Sequence, residues 1–246
     1  HYTQPLVIEK IYDAVENLGF TGGNILEPSM ETGNFFGKMP ENLKEKSKLY
    51  GVELDSISGR IAQKLYPSAN VQIKGYEETG FLDNTFDLAV GNVPFGDYSI
   101  NDKKYNNRGS FLIHDYFFAK TIDQVRPGGV IAFVTSKGTM DKKNSSVRRY
   151  IAERAELLGA IRLPNTAFKA NAGTEVTSDI LFLQKRMAPV VVSEAESWLS
   201  LDTDANGITY NRYFVEHPEM VIGTMREISG RFGNETTCVL DDEKQF

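Results

Sequence analysis

The chain has 246 residues, enough for one large domain or one domain with an appended segment. Hydrophobic residues make up 41% and charged residues 24%, which excludes a disordered chain, and no apolar run approaches the roughly 18 residues of a membrane span. The net charge of −6 runs against the basic character usual in nucleic-acid binders, but it sits in the tail: residues 1–186 carry +1 and residues 187–246 carry −7.

Along the chain, Leu6, Ile8, Ile11, Val15 and Leu18 form a near-helical stripe over Pro5 to Leu18, ended by Gly19 and Gly22-Gly23. Short strands are predicted at Asn24–Glu27, Leu49–Glu53, Val71–Ile73 and Phe86–Val90. A helix over Ser56–Leu65 separates the second and third, stopped by Pro67 and capped by Asp55. Phe111 to Val125 reads as an amphipathic helix ended by Pro127-Gly128-Gly129. Val130–Val134 is an unbroken apolar run, as in a strand buried on both faces. A helix over Val147–Leu157 and strands at Leu158–Leu163 and Ile180–Leu183 complete an alternation that predicts an α/β sheet covered on both faces. Residues 187–246 break the pattern and read as an acidic appendage or a connection to a further domain.

Cys238 is the only cysteine, so no intrachain disulfide can form. With no signal-peptide pattern, a reducing cytoplasm is the expected location. His1 in place of Met suits a piece of a longer chain. His1, His114 and His217 lack metal-ligand spacing, so no metal is expected, and His114 reads as a packed helix residue. Lys142, Lys143, Arg148 and Arg149 read as a solvated helix start, with phosphate contact as the alternative. Lys103 to Arg108 lie in a long loop that either closes over substrate or is mobile.

In α/β sheets ligands sit at the carboxyl ends of strands, so the residues that follow the strands carry the functional reading. Asn92-Val93-Pro94-Phe95 follows the fourth strand. The Asn92 side-chain oxygen and the Val93 carbonyl are two acceptors suited to the hydrogens of an aromatic amine such as that of adenine. Engaging both frees the nitrogen lone pair. Pro94 fixes the turn and Phe95 offers a stacking face, worth about 1–3 kcal/mol. The tetrapeptide alone better fits an ordinary strand-to-loop turn with one packed aromatic. After the first strand, Glu27 to Phe35 combines an acid at a strand end with a glycine before a helix, which suits a ligand carrying an amine and a carboxylate. Glu53, ending the second strand, is positioned for ribose hydroxyls, as it would be in a nicotinamide enzyme.

In this order the segments resemble the N6-adenine DNA methyltransferases, over residues 1 to about 186. Tyr2-Thr3-Gln4-Pro5 is similar to the family's amino-terminal cofactor motif, and Glu27, Pro28, Ser29, Gly33 and Phe35 match its Glu-Pro-Ser loop. Glu53 matches the ribose-binding acid, Glu77 is the candidate adenine-binding acid, and Asn92 to Phe95 match the catalytic tetrapeptide. Ser110 to Asp115 match the start of the next helix. The Tyr-Thr start, Leu163-Pro164 and Ile180 to Leu183 are most similar to type I restriction–modification methylation subunits and to methyltransferase–helicase fusions of plasmids and phages.

The resemblance implies a Rossmann-like, seven-stranded, mostly parallel sheet, with Ile180–Gln184 as the antiparallel strand and helices on both faces. It implies S-adenosylmethionine as cofactor, DNA as partner, and a specificity subunit or a fused helicase or target-recognition domain. The implied reaction is direct methyl transfer to adenine N6. Three positions depart from the family pattern: Gln4 and Val93 replace prolines, and Glu31 replaces a glycine of the cofactor loop. A Glu31 side chain aimed into the pocket would impair cofactor binding, and Glu31→Gly would then raise affinity. The alternatives are a decayed module that binds DNA or a partner without turnover, and a methyltransferase of RNA or protein glutamine.

Overall fold

The computed structural model describes residues 3–105, 111–168, 176–196 and 198–241. Helix α1 (Pro5–Asn17) has proline in its first turn, where the missing N–H costs nothing, and leads into β1 (Gly23–Glu27). Two short helices, α2 (Asn34–Gly37) and α3 (Glu41–Glu45), precede β2 (Ser47–Glu53). Then come α4 (Ser56–Leu65), β3 (Asn70–Ile73) and β4 (Phe86–Asn92). Helix α5 (Ile113–Gln124) runs directly into β5 (Val125–Ser136). After α6 (Gly138–Asp141) and α7 (Ser146–Arg154), strands β6 (Ala155–Arg162) and β7 (Ser178–Lys185) close the sheet. The remainder folds as β8 (Leu201–Thr203), β9 (Thr209–Asn211), α8 (Arg212–Glu216), β10 (Thr224–Gly230) and β11 (Gly233–Val239).

The seven-stranded sheet has the order β3-β2-β1-β4-β5-β7-β6. β1 to β5 are parallel, and β7 is antiparallel to both neighbours. The chain order therefore reverses between β1 and β4, the crevice at which open α/β sheets bind ligands. Strand alternation divides the core. Ile25, Leu88, Val90, Ala132 and Val134 pack on one face with Ile8 and Ile11 of α1. Leu26, Ala89, Ile131, Phe133 and Leu181 pack on the other with Phe118 of α5 and Ile151 of α7. Burying each large apolar side chain is worth about 1.5–3 kcal/mol, and central strands buried on both faces gain it twice over. Trp198 and Phe214, fully buried, join the second cluster.

Several boundaries differ from those the sequence predicts. On α1 the buried face is Val7, Ile8, Ile11, Tyr12 and Val15, whereas Leu6 and Leu18 stay exposed at its ends. α5 stops at Gln124, before Pro127-Gly128-Gly129, because Val125 already pairs with Phe86 across a bulge. Leu157 belongs to β6 rather than to the preceding helix, because Ala155 already pairs with Lys185. Arg148 is buried, donating from Nε to the Leu199 carbonyl at 3.0 Å and from Nη1 to the Thr139 carbonyl at 3.3 Å, so only part of that basic cluster is solvated.

Candidate active site

The strand-end residues converge on the carboxyl edge of β1, β2 and β4. Glu27 ends β1 with 2% of its surface exposed, and its Oε2 has no hydrogen-bond partner. Burial, reinforced by the nearby Glu31 and Glu53 carboxylates, raises its pKa well above the usual carboxylate range. An orphaned buried acceptor costs about 1–3 kcal/mol, and a cationic amine would recover it.

The loop after Glu27 is pinned at both sides. The Met30 N–H donates to the Val52 carbonyl at 2.9 Å, and the Gly33 N–H donates to the Met30 carbonyl at 2.8 Å. Gly33 has φ +91, and a Cβ there would lie 2.5 Å from the Tyr66 ring, so no other residue fits. Glu31 has φ +51, the left-handed conformation a glycine would adopt, and its side chain is exposed. The backbone thus takes the conformation a glycine would, while the Glu31 side chain lies at the edge of the depression that Glu27 lines, close enough for its carboxylate to act on Glu27. Phe35 is buried, its carbonyl accepting from the Tyr12 hydroxyl at 2.7 Å. At four residues α2 is too short for an aligned dipole, so any anion contact falls to the loop itself.

Glu53, at the end of β2, joins the two loops. Its Oε1 accepts from the Glu31 N–H at 3.2 Å and its Oε2 from the Asp55 N–H at 3.3 Å. Burial raises its pKa, and the two backbone donors pull against that. Asp55 caps α4, accepting from the Ser58 N–H at 2.8 Å. Glu77 sits on the turn Tyr76–Glu78 after β3. A cleft of about 650 Å³ is lined by Pro28, Ser29, Glu53, Glu77 and Pro94, with Tyr98 and Ile100 from the loop beyond Pro94. That size falls within the roughly 300–1,000 Å³ of small-molecule sites.

Asn92, the last residue of β4, donates from Nδ2 to Thr3 Oγ1 at 3.3 Å, leaving Oδ1 as the acceptor of the amide. The buried Val93 donates its N–H to the Val134 carbonyl at 3.0 Å, which fixes the turn against β5. Asn92 borders two depressions. One is shared with Thr3, Glu27, Ser29, Glu31 and Phe35. The other is shared with Phe95, Thr135, Ser136, Phe168 and Ser178. Phe95 is 37% exposed at the rim of the second. Thr3, Glu27, Pro28, Ser29, Phe35, Glu53, Glu77, Asn92, Pro94 and Phe95 thus line three adjoining depressions that share Ser29 or Asn92, whereas Val93 is buried and Gly33 shapes the loop. Tyr2 and Ser110, and with Ser110 part of the Lys103–Arg108 loop, lie outside the described residues.

Thr135, Ser136 and Phe168 do not stand out in the sequence. The first two end β5 and are findable by the same strand-end rule; nothing local marks Phe168. Among the described residues no cluster suits a metal ion, and no helix is long and apolar enough to cross a membrane.

This architecture, with its crevice at the β1–β4 switch, is that of the S-adenosylmethionine-dependent methyltransferases. A structure described as a class I S-adenosylmethionine-dependent methyltransferase from Listeria monocytogenes superposes with a TM-score of 0.61 at 18% identity, over 77% of this chain and 61% of that one. Another, described as the modification subunit of a type I restriction enzyme from Vibrio vulnificus YJ016, gives 0.63 at 17% identity, over 99% of this chain and 59% of that one. The N-6 DNA Methylase family profile matches residues 1–209, and the chain belongs to that family. The cofactor of this family and fold is S-adenosylmethionine. In sequence the chain is 34% identical over 194 residues to the defense against restriction protein B of Escherichia phage P1, across 76% of this chain and 8% of the phage protein. It spans 8% to 36% of the length of the curated relatives it matches.

The residues present fit the cofactor. Glu27 offers a buried, unpartnered acceptor for an ammonium group, and Glu53 borders a cleft large enough for a nucleoside.

Proposed function

We propose that the chain transfers a methyl group from S-adenosylmethionine to the N6 amino group of adenine in DNA. The observation that carries this reading is the position of Asn92, which borders both the Glu27 depression and the one rimmed by Phe95. A residue between donor and acceptor compartments is where the reacting nitrogen must be held.

In this reading Glu27 takes the cofactor's ammonium, Glu53 its ribose hydroxyls, and Glu77 and the cleft walls its base. Bound there, the cofactor supplies an electrophilic methyl group. The target adenine leaves the duplex and enters beside Phe95, which stacks on it. Asn92 Oδ1 and the Val93 carbonyl accept the two amine hydrogens and release the lone pair from the ring. Thr3, by holding the Asn92 amide, fixes which of its ends faces the base. The Val93 bond to β5 keeps that carbonyl in place, so that orientation contributes much of the rate. Sequence recognition falls to a partner such as a specificity subunit or to a further domain.

Methyl transfer from labelled S-adenosylmethionine to duplex DNA tests the reading, with RNA and a glutamine-containing peptide as competing acceptors. Labelled DNA bearing N6-methyladenine is the expected product. Labelling of RNA or peptide alone, or cofactor binding without transfer to any acceptor, would overturn it in favour of another substrate or a binding module.

A further inference from the structure

The β10–β11 hairpin has features that the fold does not require. Its base is seated on the carboxyl edge of the sheet, beside the depression rimmed by Phe95. Lys137 Nζ donates to Thr236 Oγ1 at 3.2 Å, and the Cys238 N–H donates to Thr177 Oγ1 at 3.0 Å. Lys137 follows Ser136, and Thr177 precedes Ser178; both serines line that depression. The chain enters the hairpin after Val221 pairs in parallel with Arg162 at the top of β6, so it leaves the sheet on the side of the site.

Beyond this base the ribbon is exposed: Arg226 to Ser229 and Gly233 to Glu235 all face solvent. A two-stranded ribbon is marginal in water by itself, so the packed base holds this one and the exposed distal half is available to a partner. The tip strengthens this. Gly230 pairs with Gly233, leaving a two-residue turn of Arg231-Phe232. Such turns favour Asn-Gly and similar pairs at their two central positions, whereas here neither central residue has a positive φ and Gly233, just after them, has φ +122. The tip residues are thus not those the turn itself favours: they are an arginine and a phenylalanine that is 91% exposed. The guanidinium lies 5.7 Å from the Phe232 ring centre, so the pair presents a cation and an aromatic face together.

We propose that this ribbon is a DNA-contacting arm that grips the duplex beside the target adenine, Arg231 on a phosphate and Phe232 against a base step. The inference rests on the DNA reading above. β-Ribbons fit the major groove, and apolar side chains wedge into base steps that are being unstacked. An arm rooted two residues from the base-side depression meets DNA where a nucleotide must leave the stack.

The test compares Arg231→Ala, Arg231→Lys and Phe232→Ala with the wild-type chain by anisotropy of a labelled duplex over a salt series. Cofactor calorimetry and thermal unfolding serve as controls; both are expected to be unchanged. Phe232→Ala weakens duplex binding by about tenfold. Arg231→Ala lowers the slope of log affinity against log salt by about one, and Arg231→Lys restores it. Wild-type duplex binding with all three variants within twofold and equal slopes would overturn the arm alone and assign the ribbon to a protein partner. A wild-type chain that binds cofactor but no duplex would overturn the DNA reading and the arm with it.

Discussion

Replacing Glu27 by Gln separates two consequences of one buried carboxyl. The side chain is enclosed, with Oε2 unpartnered and the carboxylates of Glu31 and Glu53 nearby, so its neutral form persists in the native state to a higher pH than in the unfolded chain. An unfolded glutamate titrates near pH ~4.3. Between that value and the native pKa the native state holds more protons than the unfolded one, so stability falls as pH rises. The contribution is complete below the unfolded pKa and is lost through the native one, each tenfold difference in proton affinity between the two states being worth about 1.4 kcal/mol. Glu27→Gln removes this slope, so melting temperatures of the two proteins diverge with rising pH, the variant being higher. Cofactor affinity moves the other way. A hydrogen bond to a charged group contributes about 1.5–3 kcal/mol, so the variant loses roughly 10- to 150-fold in binding S-adenosylmethionine. Wild-type affinity itself rises with pH through the same window, with proton release seen as a dependence of calorimetric heat on buffer ionisation enthalpy. Affinity within twofold of wild type in Glu27→Gln would refute the ammonium contact. Parallel melting curves across pH would refute the buried titration.

Three further outcomes follow from named contacts. Asn92→Ala lowers methyl transfer by on the order of 10²–10³-fold while cofactor affinity by calorimetry stays within about tenfold; unchanged labelling of DNA would remove Asn92 from the reaction. Glu31→Gly changes cofactor affinity by less than about threefold, because Glu31 is an exposed residue at the edge of the Glu27 depression and its backbone already occupies the left-handed region; a large gain would mean that the carboxylate obstructs the pocket. Asp179→Ala removes one of the two carboxylates that hold the fully buried Arg162, which Asp179 engages through Nε at 2.8 Å and Nη2 at 2.9 Å, and leaves it Asp141. The expected loss is about 1.5–3 kcal/mol, or roughly 3–12 °C in melting temperature, and a loss below about 0.5 kcal/mol would contradict the buried pairing.

The strands and the residues that follow them were legible because each rests on local information. An apolar run such as Val130–Val134 cannot sit at a surface, and acids or amides at strand ends have no packing reason to be there. What was not legible depends on partners distant in sequence. Arg148 reads as solvated until Leu199, some fifty residues later, offers it a carbonyl. β5 reads as starting after Pro127-Gly128-Gly129 because those residues break helices, but a bulge lets Val125 pair first. Phe168 carries no signal that it will wall the depression beside Phe95. The elements from β8 to α8 are three to five residues long, too short to display a period, so the aromatics Trp198, just before them, and Phe214 read as residues that could pack without showing which core they enter.

The acidic C-terminal stretch also bears on the site through the start of β7. Arg162 is buried between two carboxylates, donating to both Asp179 and Asp141. Burial alone would lower its pKa, but the pair of negative charges overcomes that and keeps it protonated. Asp141 Oδ1 in turn accepts from the Asn211 N–H at 3.0 Å, and Phe214 stacks on the guanidinium with 4.5 Å between centres. Next to this cluster Asn165 donates its N–H to the Cys238 carbonyl at 2.7 Å and its side chain to Thr237 at 3.3 Å. Ser178, on the wall of the Phe95 depression, is flanked by Asp179 and Thr177, and both neighbours are held by these contacts. A wall clamped from both sides holds its shape when a base enters. The same contacts root the β10–β11 ribbon, so among the described residues its base meets the site through Thr177, Lys137 and Asn165. Substitutions at Thr237 therefore report on the wall, and substitutions at the ribbon tip report on whatever the ribbon grips, which makes the two roles separable by experiment.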